Sequence, residues 1–388
     1  MSQLNYLEKL LDGVEVEWTT LGNEHAVEIA NSGRKPVKAA LRVAGETPYY
    51  GANNIQDYVD GYTHDGEFVL IAEDGSASLD NYSIQYATGR FWANNHVHVV
   101  RGKEGLNTRY LYHYLCIVNF VPFLSGGGRA KLTKGKLVDI PLPIPCPNNP
   151  EKSLAIQAEI VRILDAFTAM TAELTAELTA ELNMRKKQYN YYRDQLLSFE
   201  EGEVEWKALG EICESITSGK NKDKSETGKF PVYGSTGVIG RTNIKAYEIE
   251  QILVARVGAN AGRVNIASGE YDVSDNTLIL KLKAKYNLKF LYYYLVNLNL
   301  NRFVKGAGQP LLTAGQLKAM VIPVPTPEEQ SRIVSILDNF DAITNSITEG
   351  LPREIELRQK QYEYYRDLLL SFPASPAGGP KSHSHEAA

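Results

Sequence analysis

Residues 157–199 read QAEIVRILDAFTAMTAELTAELTAELNMRKKQYNYYRDQLLSF, and the periodicity of this stretch decides the architecture. Ile160, Ile163, Leu164, Phe167, Met170, Leu174, Leu178 and Leu182 are followed by Tyr189, Tyr192 and Leu196. The spacings place these side chains on one face of a long helix. No Gly or Pro interrupts it, and Thr-Ala-Glu-Leu occurs three times in tandem from Thr171 to Leu182. Ala, Glu and Leu are strong helix formers, so propensity and pattern agree. At about 1.5 Å per residue the helix is a rod of roughly 60 Å. A rod with one apolar face needs a partner helix.

The partner is near the other end of the chain. Residues 330–372 read QSRIVSILDNFDAITNSITEGLPREIELRQKQYEYYRDLLLSF and align with the first stretch without a gap. Gln157 meets Gln330, Leu164 meets Leu337, Asp165 meets Asp338, and Tyr191-Tyr192-Arg193-Asp194 meets Tyr364-Tyr365-Arg366-Asp367. A match of this length is an internal duplication, and it governs how every local motif is read. Gly350-Leu351-Pro352 interrupts the second copy, and Pro352 is expected to end or kink that helix.

The chain of 388 residues is long enough for two to three domains. No apolar run approaches a membrane span, and Met1–Gly13 has no signal-peptide core. Cys116, Cys146 and Cys213 form no CxxC pair, which argues against structural zinc and for a reducing cytoplasm. A formal charge of −5 is low for a chain that binds DNA alone.

Taken in order, Leu4–Leu11 reads as a short helix whose YLEKLLDG resembles the DQLLSFEEG that precedes the second repeat. This N-terminal fragment is expected to sit where the C-terminal helix ends, in a pseudo-circular scaffold. The regions from Val14 to Pro150 and from Val204 to Pro327 are copies rich in Val, Ile, Tyr and Gly, read as mostly β. Pro48-Tyr49-Tyr50-Gly51 aligns with Pro231-Val232-Tyr233-Gly234, and Val69–Ala72 with Ile252–Ala255. Asn95 aligns with Asn276, and the helices at Tyr110–Leu115 and Phe290–Leu295 align with each other. Alternating prolines at 141–145 and 323–325 force an extended exit before each long helix. The fold class is therefore α+β: two duplicated β-rich domains and two long helices. Pro373–Ala388 reads as a disordered tail.

No GxxxxGK[ST], no HExxH, and no Asn-Pro-Pro-Phe or Asp-Pro-Pro-Tyr run is present, so neither ATP hydrolysis, zinc catalysis nor adenine methylation is expected of this chain. Glu205-Trp206-Lys207 fits half of a nuclease site, but the first copy has Thr19 in place of Lys207, so the match reads as structural, with Trp206 a core residue. Loops suited to DNA remain. Glycines let backbone N–H groups approach phosphate, Lys and Arg neutralise it, and Asn, Gln and Arg pair with base edges. From Ser215 to Pro325 the chain carries 15 Lys+Arg and 7 Asp+Glu; from His25 to Pro150 it carries 12 and 11. The second repeat answers the charge objection and the first does not. Candidate DNA contacts in the first are Tyr50, Asn53, Asn54, Glu73, Asp74, Asn94, Asn95, His96, Arg129 and Lys131. In the second they are Lys220, Lys222, Tyr233, Ser235, Thr236, Arg256, Asn260, Asn276, Lys305 and Gln309. Glu73 and Asp74 could accept from cytosine N4. No catalytic or metal-binding residue is nominated.

These residues resemble the DNA-specificity subunit of type I restriction-modification systems, over nearly the whole chain. The most specific marks are the Thr-Ala-Glu-Leu array, as in the type IC branch, and the pair RKKQYNYYRDQLLSF and RQKQYEYYRDLLLSF. The resemblance implies target-recognition domains at 14–156 and 200–328. Between and after them it implies antiparallel spacer helices at 157–199 and 329–372, completed by the fragment 1–13 and followed by the tail 373–388. Leu174, Leu178, Leu182, Ile347, Leu351 and Ile355 would be spacer residues. It further implies a bipartite double-stranded DNA target, two methyltransferase subunits on the spacer and motor-nuclease subunits outside them. S-adenosylmethionine, ATP and Mg²⁺ would be bound by those partners, in the cytoplasm and away from any membrane. The competing class is a self-contained DNA methyltransferase or nuclease with duplicated reading domains.

Overall fold

A computed structural model describes residues 6–126, 130–200, 202–222, 225–306, 310–345 and 350–373. Arg129, Gln309, Ile347 and nearly all of the tail lie outside the described residues. The chain divides into two units, one of residues 1–176 with 356–388 and the other of residues 177–355. The division differs from a linear string of domains because each long helical path is split between the units. Among the described residues no helix is long and apolar enough to cross a membrane.

The first repeat runs α1 (Tyr6–Leu11), β1 (Val16–Thr20), β2 (Val27–Ile29), β3 (Ala44–Tyr50), β4 (Ile55–Val59) and β5 (His64–Asp65). It continues with β6 (Phe68–Ala72), β7 (Ile84–Ala87), β8 (Arg90–Ala93), β9 (Val97–Gly102), α2 (Thr108–Leu115), α3 (Lys134–Leu137), β10 (Pro141–Pro145) and α4 (Pro150–Leu196). The second repeat runs β11 (Glu205–Ala208), α5 (Leu209–Ile212), β12 (Cys213–Ser218), β13 (Phe230–Gly234), β14 (Gly237–Thr242), β15 (Gln251–Ala255) and β16 (Val264–Ala267). Then come β17 (Asp272–Val273), β18 (Thr277–Leu282), α6 (Leu288–Asn297), α7 (Ala314–Lys318), β19 (Val321–Val324), α8 (Pro327–Asn345) and α9 (Leu351–Leu369).

Val69, Leu70 and Ile71 are all fully buried because β6 lies between two layers. Val69 and Ile71 join a core with Tyr110, Leu111 and Leu115 of α2. Leu70 faces the other way, into a core with Phe91, Val97 and Val99. A strand buried on both faces reads as a continuous apolar run, which is what the sequence shows. The second repeat does the same: Ile252 and Val254 face one core and Leu253 the other. The sheet orders β2-β9-β6-β7 and β12-β18-β15-β16 correspond, and so do the parallel pairs β3–β8 and β13–β17. The proline-rich exits are extended strands, paired as β1–β10 and β11–β19.

Both long helices start earlier than their periodicity suggests. α4 begins at Pro150 and α8 at Pro327, because proline is favoured in a first turn, where its missing N–H costs nothing. Each β-rich repeat is fastened to its helix by the same two positions. Gln157 is fully buried. It accepts the Asn107 backbone N–H at 2.8 Å and donates to Gly105 O and Ser153 Oγ at 3.0 Å. Gln330 accepts the Asn287 N–H at 3.1 Å and donates to Pro325 O at 2.8 Å. Asn107 and Asn287 in turn cap α2 and α6. One helical stretch further, Asp165 takes Arg109 Nε at 2.9 Å and His113 Nε2 at 2.8 Å. Asp338 takes Lys289 Nζ and the Tyr293 hydroxyl, both at 2.6 Å.

Leu7 and Leu11 share the first core with Leu369, Leu370 and Phe372, and Trp18 Nε1 donates to Pro373 O at 2.9 Å. The N-terminal fragment and the end of α9 thus meet in one unit. Phe167 stacks on Tyr365 at 5.7 Å in that unit, and Tyr192 stacks on Phe340 at 5.7 Å in the other.

Three expectations change. Trp206, on the two-stranded sheet β11–β19, is 38% exposed rather than in the core. The apolar face of α4 is buried at Ile160 and Leu164, but Met170 is 50% and Leu174 36% exposed. Pro352 does not itself end a helix: it lies in the first turn of α9, and the non-helical residue is Gly350, two positions before it. Gly350 has φ +85°, and an added Cβ would lie 2.4 Å from Ala342 O, so the interruption requires glycine there.

Candidate nucleic-acid interface

In the first repeat the nominated loops converge where β6 ends and β9 begins. Glu73 N–H donates to His96 O at 2.8 Å, and Leu132 N–H returns to Glu73 O at 2.8 Å. Isolated bridges join Lys131 to both Asp74 and Ser125. Asn94 is buried, and its Oδ1 accepts His96 N–H at 2.8 Å. Asp74 Oδ1 meets His96 Nδ1 at 2.6 Å. Asn53 shapes the neighbouring loop, donating to Gly75 O at 2.9 Å and accepting Ala77 N–H at 2.8 Å and Ser83 Oγ at 2.6 Å. Tyr50 packs edge-on against Phe91 at 5.8 Å and accepts Asn94 N–H on its carbonyl at 3.2 Å. Its hydroxyl pKa is raised by burial and by Tyr58 nearby. Asn54 and Asn95 are exposed at the same edge.

Glu73 holds cations of its own chain. Arg34 Nη1 lies 2.5 Å from its Oε2, and Lys131 Nζ 3.0 Å from its Oε1. Burial alone would raise its pKa, but the hydrogen bonds from Arg34 and Lys131 outweigh burial and hold the carboxyl below the usual range. Arg34 Nη1 also donates to Val97 O at 2.8 Å. The sequence reading missed Arg34; the run Gly33-Arg34-Lys35, basic and beside a glycine, was the available signal.

His98, also missed, is buried beneath this cluster. Its Nε2 donates to Leu132 O at 2.7 Å, and its Nδ1 must then accept from Asn31 Nδ2 at 2.9 Å, because Asn31 Oδ1 already takes Val99 N–H. A second ring proton would face the Asn31 amide donor, with the Glu73 carboxylate 3.8 Å away, and burial outweighs that carboxylate. Burial lowers the His98 pKa below its ordinary value, and His113 is lowered for the same first reason. The unfolded chain then takes up protons that the folded chain refuses as pH falls below about 6.5. Stability is complete above that pH and is lost below it, by up to about 1.4 kcal/mol per pH unit per histidine. Thermal unfolding of the assembled protein between pH 7.5 and 5.5 should show this slope, and His98→Gln should flatten it. An equally steep slope in the variant would refute the assignment.

The second repeat has the same frame, set in register by its backbone bonds. Arg256 N–H donates to Asn276 O and Leu312 N–H to Arg256 O, so Arg256 occupies the place of Glu73, and Asn276 that of His96 rather than Asn95. Ser274 N–H donates to Tyr233 O, which puts Ser274 at the place of Asn94 and Tyr233 at that of Tyr50. Sequence alignment missed the shift by one residue because Asn95 and Asn276 are the same residue type. Lys305 bridges Leu311, as Ser125 bridges Lys131. Lys220, Lys222, Lys305 and Asn276 are exposed at this edge, and Ser235 and Thr236 form the β13–β14 turn. Asn260 O accepts Arg263 N–H at 2.9 Å, closing the turn after Arg256. Glu205 pairs with Lys207 at 2.9 Å. Among the described residues no group of three or more His, Cys, Asp or Glu is placed to hold a metal ion.

Of the nominated helix positions, Leu174 is exposed, while Leu178, Leu182, Leu351 and Ile355 are half-buried. The repeated tyrosines Tyr191 and Tyr364 are 62% and 55% exposed.

Residues 15–184 and 201–357 match the type I restriction modification DNA specificity domain. A putative type I restriction enzyme specificity subunit of Haemophilus influenzae is 50% identical over 95% of this chain and 98% of its own length. The EcoR124I/EcoR124II specificity subunit of Escherichia coli is 40% identical over 96% and 98%. Among solved structures, a chain from a type I R-M system superposes with TM-score 0.60 at 15% identity, over 92% of this chain and 97% of that one. The type I S subunit of M. genitalium gives TM-score 0.52 at 17% identity, over 94% and 98%.

Proposed function

The chain belongs to the type I restriction-modification DNA specificity family, and from that premise we propose how its two repeats divide the work. It is the DNA-recognition subunit, the non-catalytic member of a complex with methyltransferase and restriction subunits. Each repeat reads one half of a bipartite double-stranded site. The observation that carries this is the shared frame with unlike loops: the same backbone bonds hold Glu73 in one repeat and Arg256 in the other. A fixed frame with variable loops is how one fold reads two sequences.

The two helical paths set the gap between half-sites. Two copies of one methyltransferase subunit dock on them, supported by the aromatic motif that recurs with Tyr191 exposed in one unit and Tyr364 in the other. Motor-nuclease subunits lie outside these, and S-adenosylmethionine, ATP and Mg²⁺ are bound by the partners. The complex works in the cytoplasm, where its DNA is. The partners' own basic surfaces compensate for a net charge of −5.

The test uses the purified full chain, DNA, Mg²⁺ and S-adenosylmethionine, with and without the partner subunits. The chain alone should neither methylate nor cut, and should bind DNA weakly; adding methyltransferase subunits should restore modification at a two-part site. Modification or cleavage by the chain alone would instead establish a self-contained enzyme.

A further inference from the structure

Equivalent frame positions in the two repeats carry opposite charge. In the first, Glu73 is closed by Arg34 at 2.5 Å and Lys131 at 3.0 Å. Lys35 N–H donates to Ala93 O, and Asn221 N–H to Val273 O, so the residue before each, Arg34 and Lys220, also correspond. Lys131 corresponds to Leu311, since each bridges the same loop position. The second repeat therefore has Lys220 and Arg256 where the first has an arginine–glutamate pair, and an apolar residue where the first has its second cation. No carboxylate pairs with Arg256 among the described residues, and its Nε is buried without a partner there. The segments beside it add Asn221 Oδ1, Ser274 Oγ and Thr277 Oγ1, buried and equally without partners among the described residues. A half-buried guanidinium at a loop edge, with no carboxylate partner among the described residues, is a site for an acceptor.

We propose that Arg256 reads a guanine in the second half-site by donating to its O6 and N7, and that Lys220 meets the adjacent phosphate. Glu73, by contrast, is a positioning residue that holds Arg34 and Lys131, because each of its oxygens is paired with a cation of its own chain and its side chain is only 16% exposed. The planar fork of arginine fits the paired acceptors of the guanine major-groove edge. Lys220 is exposed, as a phosphate contact requires. This rests on the reading above, in which the second repeat recognises its own half-site.

The experiment uses the complex assembled with its methyltransferase subunits, mapping methylated sites and measuring DNA affinity against salt. Arg256→Gln should lower discrimination at one guanine of the second half-site by roughly tenfold to a hundredfold, leaving the first half-site and the salt slope unchanged. Arg256→Lys should lose discrimination too, because it keeps the charge but not the fork. Lys220→Gln should weaken binding to all sequences and lower the salt slope by about one, without altering the bases read. With the unaltered protein, 7-deazaguanine at that position should reproduce the Arg256→Gln loss, which guards against a variant that folds poorly. Uniform weakening by Arg256→Gln with a reduced salt slope would make the contact a phosphate and overturn the proposal. So would full rescue by lysine, or insensitivity of every guanine in the half-site to 7-deaza substitution. A complex of unaltered protein that shows no second half-site at all would overturn the reading of the repeats instead.

Discussion

Deleting Thr179–Leu182 brings the two half-sites closer by one to two base pairs and leaves the bases of both unchanged. The deleted residues lie within α4, away from every loop that carries a candidate contact. Four residues of helix are roughly 6 Å, against about 3.4 Å per stacked base pair. They also turn the helix by about 400°, close to one full turn, so side chains beyond the deletion keep their face. The second path need not be strained, because it already turns at Gly350, whose φ of +85° is not helical. Deleting Thr179 and Ala180 alone turns later side chains by about 200° and puts Tyr189 and Tyr192 on the wrong side. These two tyrosines pack on Phe340 at 6.3 and 5.7 Å, so the two-residue deletion should abolish modification altogether. Methylation mapping in the assembled complex decides both cases. An unchanged gap after the four-residue deletion would leave the repeats without a measuring role.

How far the sequence could be read follows from the range of the interactions involved. The helices were legible because a periodic apolar face is a local pattern, and the duplication because both copies lie in one chain. Val69–Ala72 could be aligned with its copy, but that this strand is buried on both faces emerged only from the fold. The chemistry of the loops was not legible. Glu73 looks like a free acceptor in sequence, yet its partner Arg34 comes from the preceding strand-to-loop segment, and only the fold brings them to 2.5 Å. The true register of Asn276 lies in backbone bonds, which residue identity does not report. Trp206 misled because a large aromatic is more often inside, and its equivalent Trp18 does pack against a core while Trp206 is 38% exposed. The exposed Met170 and Leu174 show that an apolar stripe states what a helix can bury, not what it buries within its own chain.

Leu164 and Leu337 test the repeat as an energetic unit. They occupy the same position of the duplicated helix, one residue before the aspartate that fastens each β-rich repeat, and both are fully buried. Leu164 packs in the core that holds Leu7, Leu11, Tyr110 and Leu369. Leu337 packs with Leu197, Phe290, Tyr293 and Ile333. Truncating either to alanine removes the transfer energy of three carbons and leaves a cavity, about 2–5 kcal/mol in a core that cannot collapse around it. That is a large share of the stability of a single folding unit. The two cores share no residue, so the losses should be separate and should add in the double variant. Hydrogen exchange in the assembled complex reads them apart. Leu164→Ala should lower protection of α2 and β6, and Leu337→Ala that of α6. Loss of protection in both units from either single change would show that the repeats fold as one cooperative body.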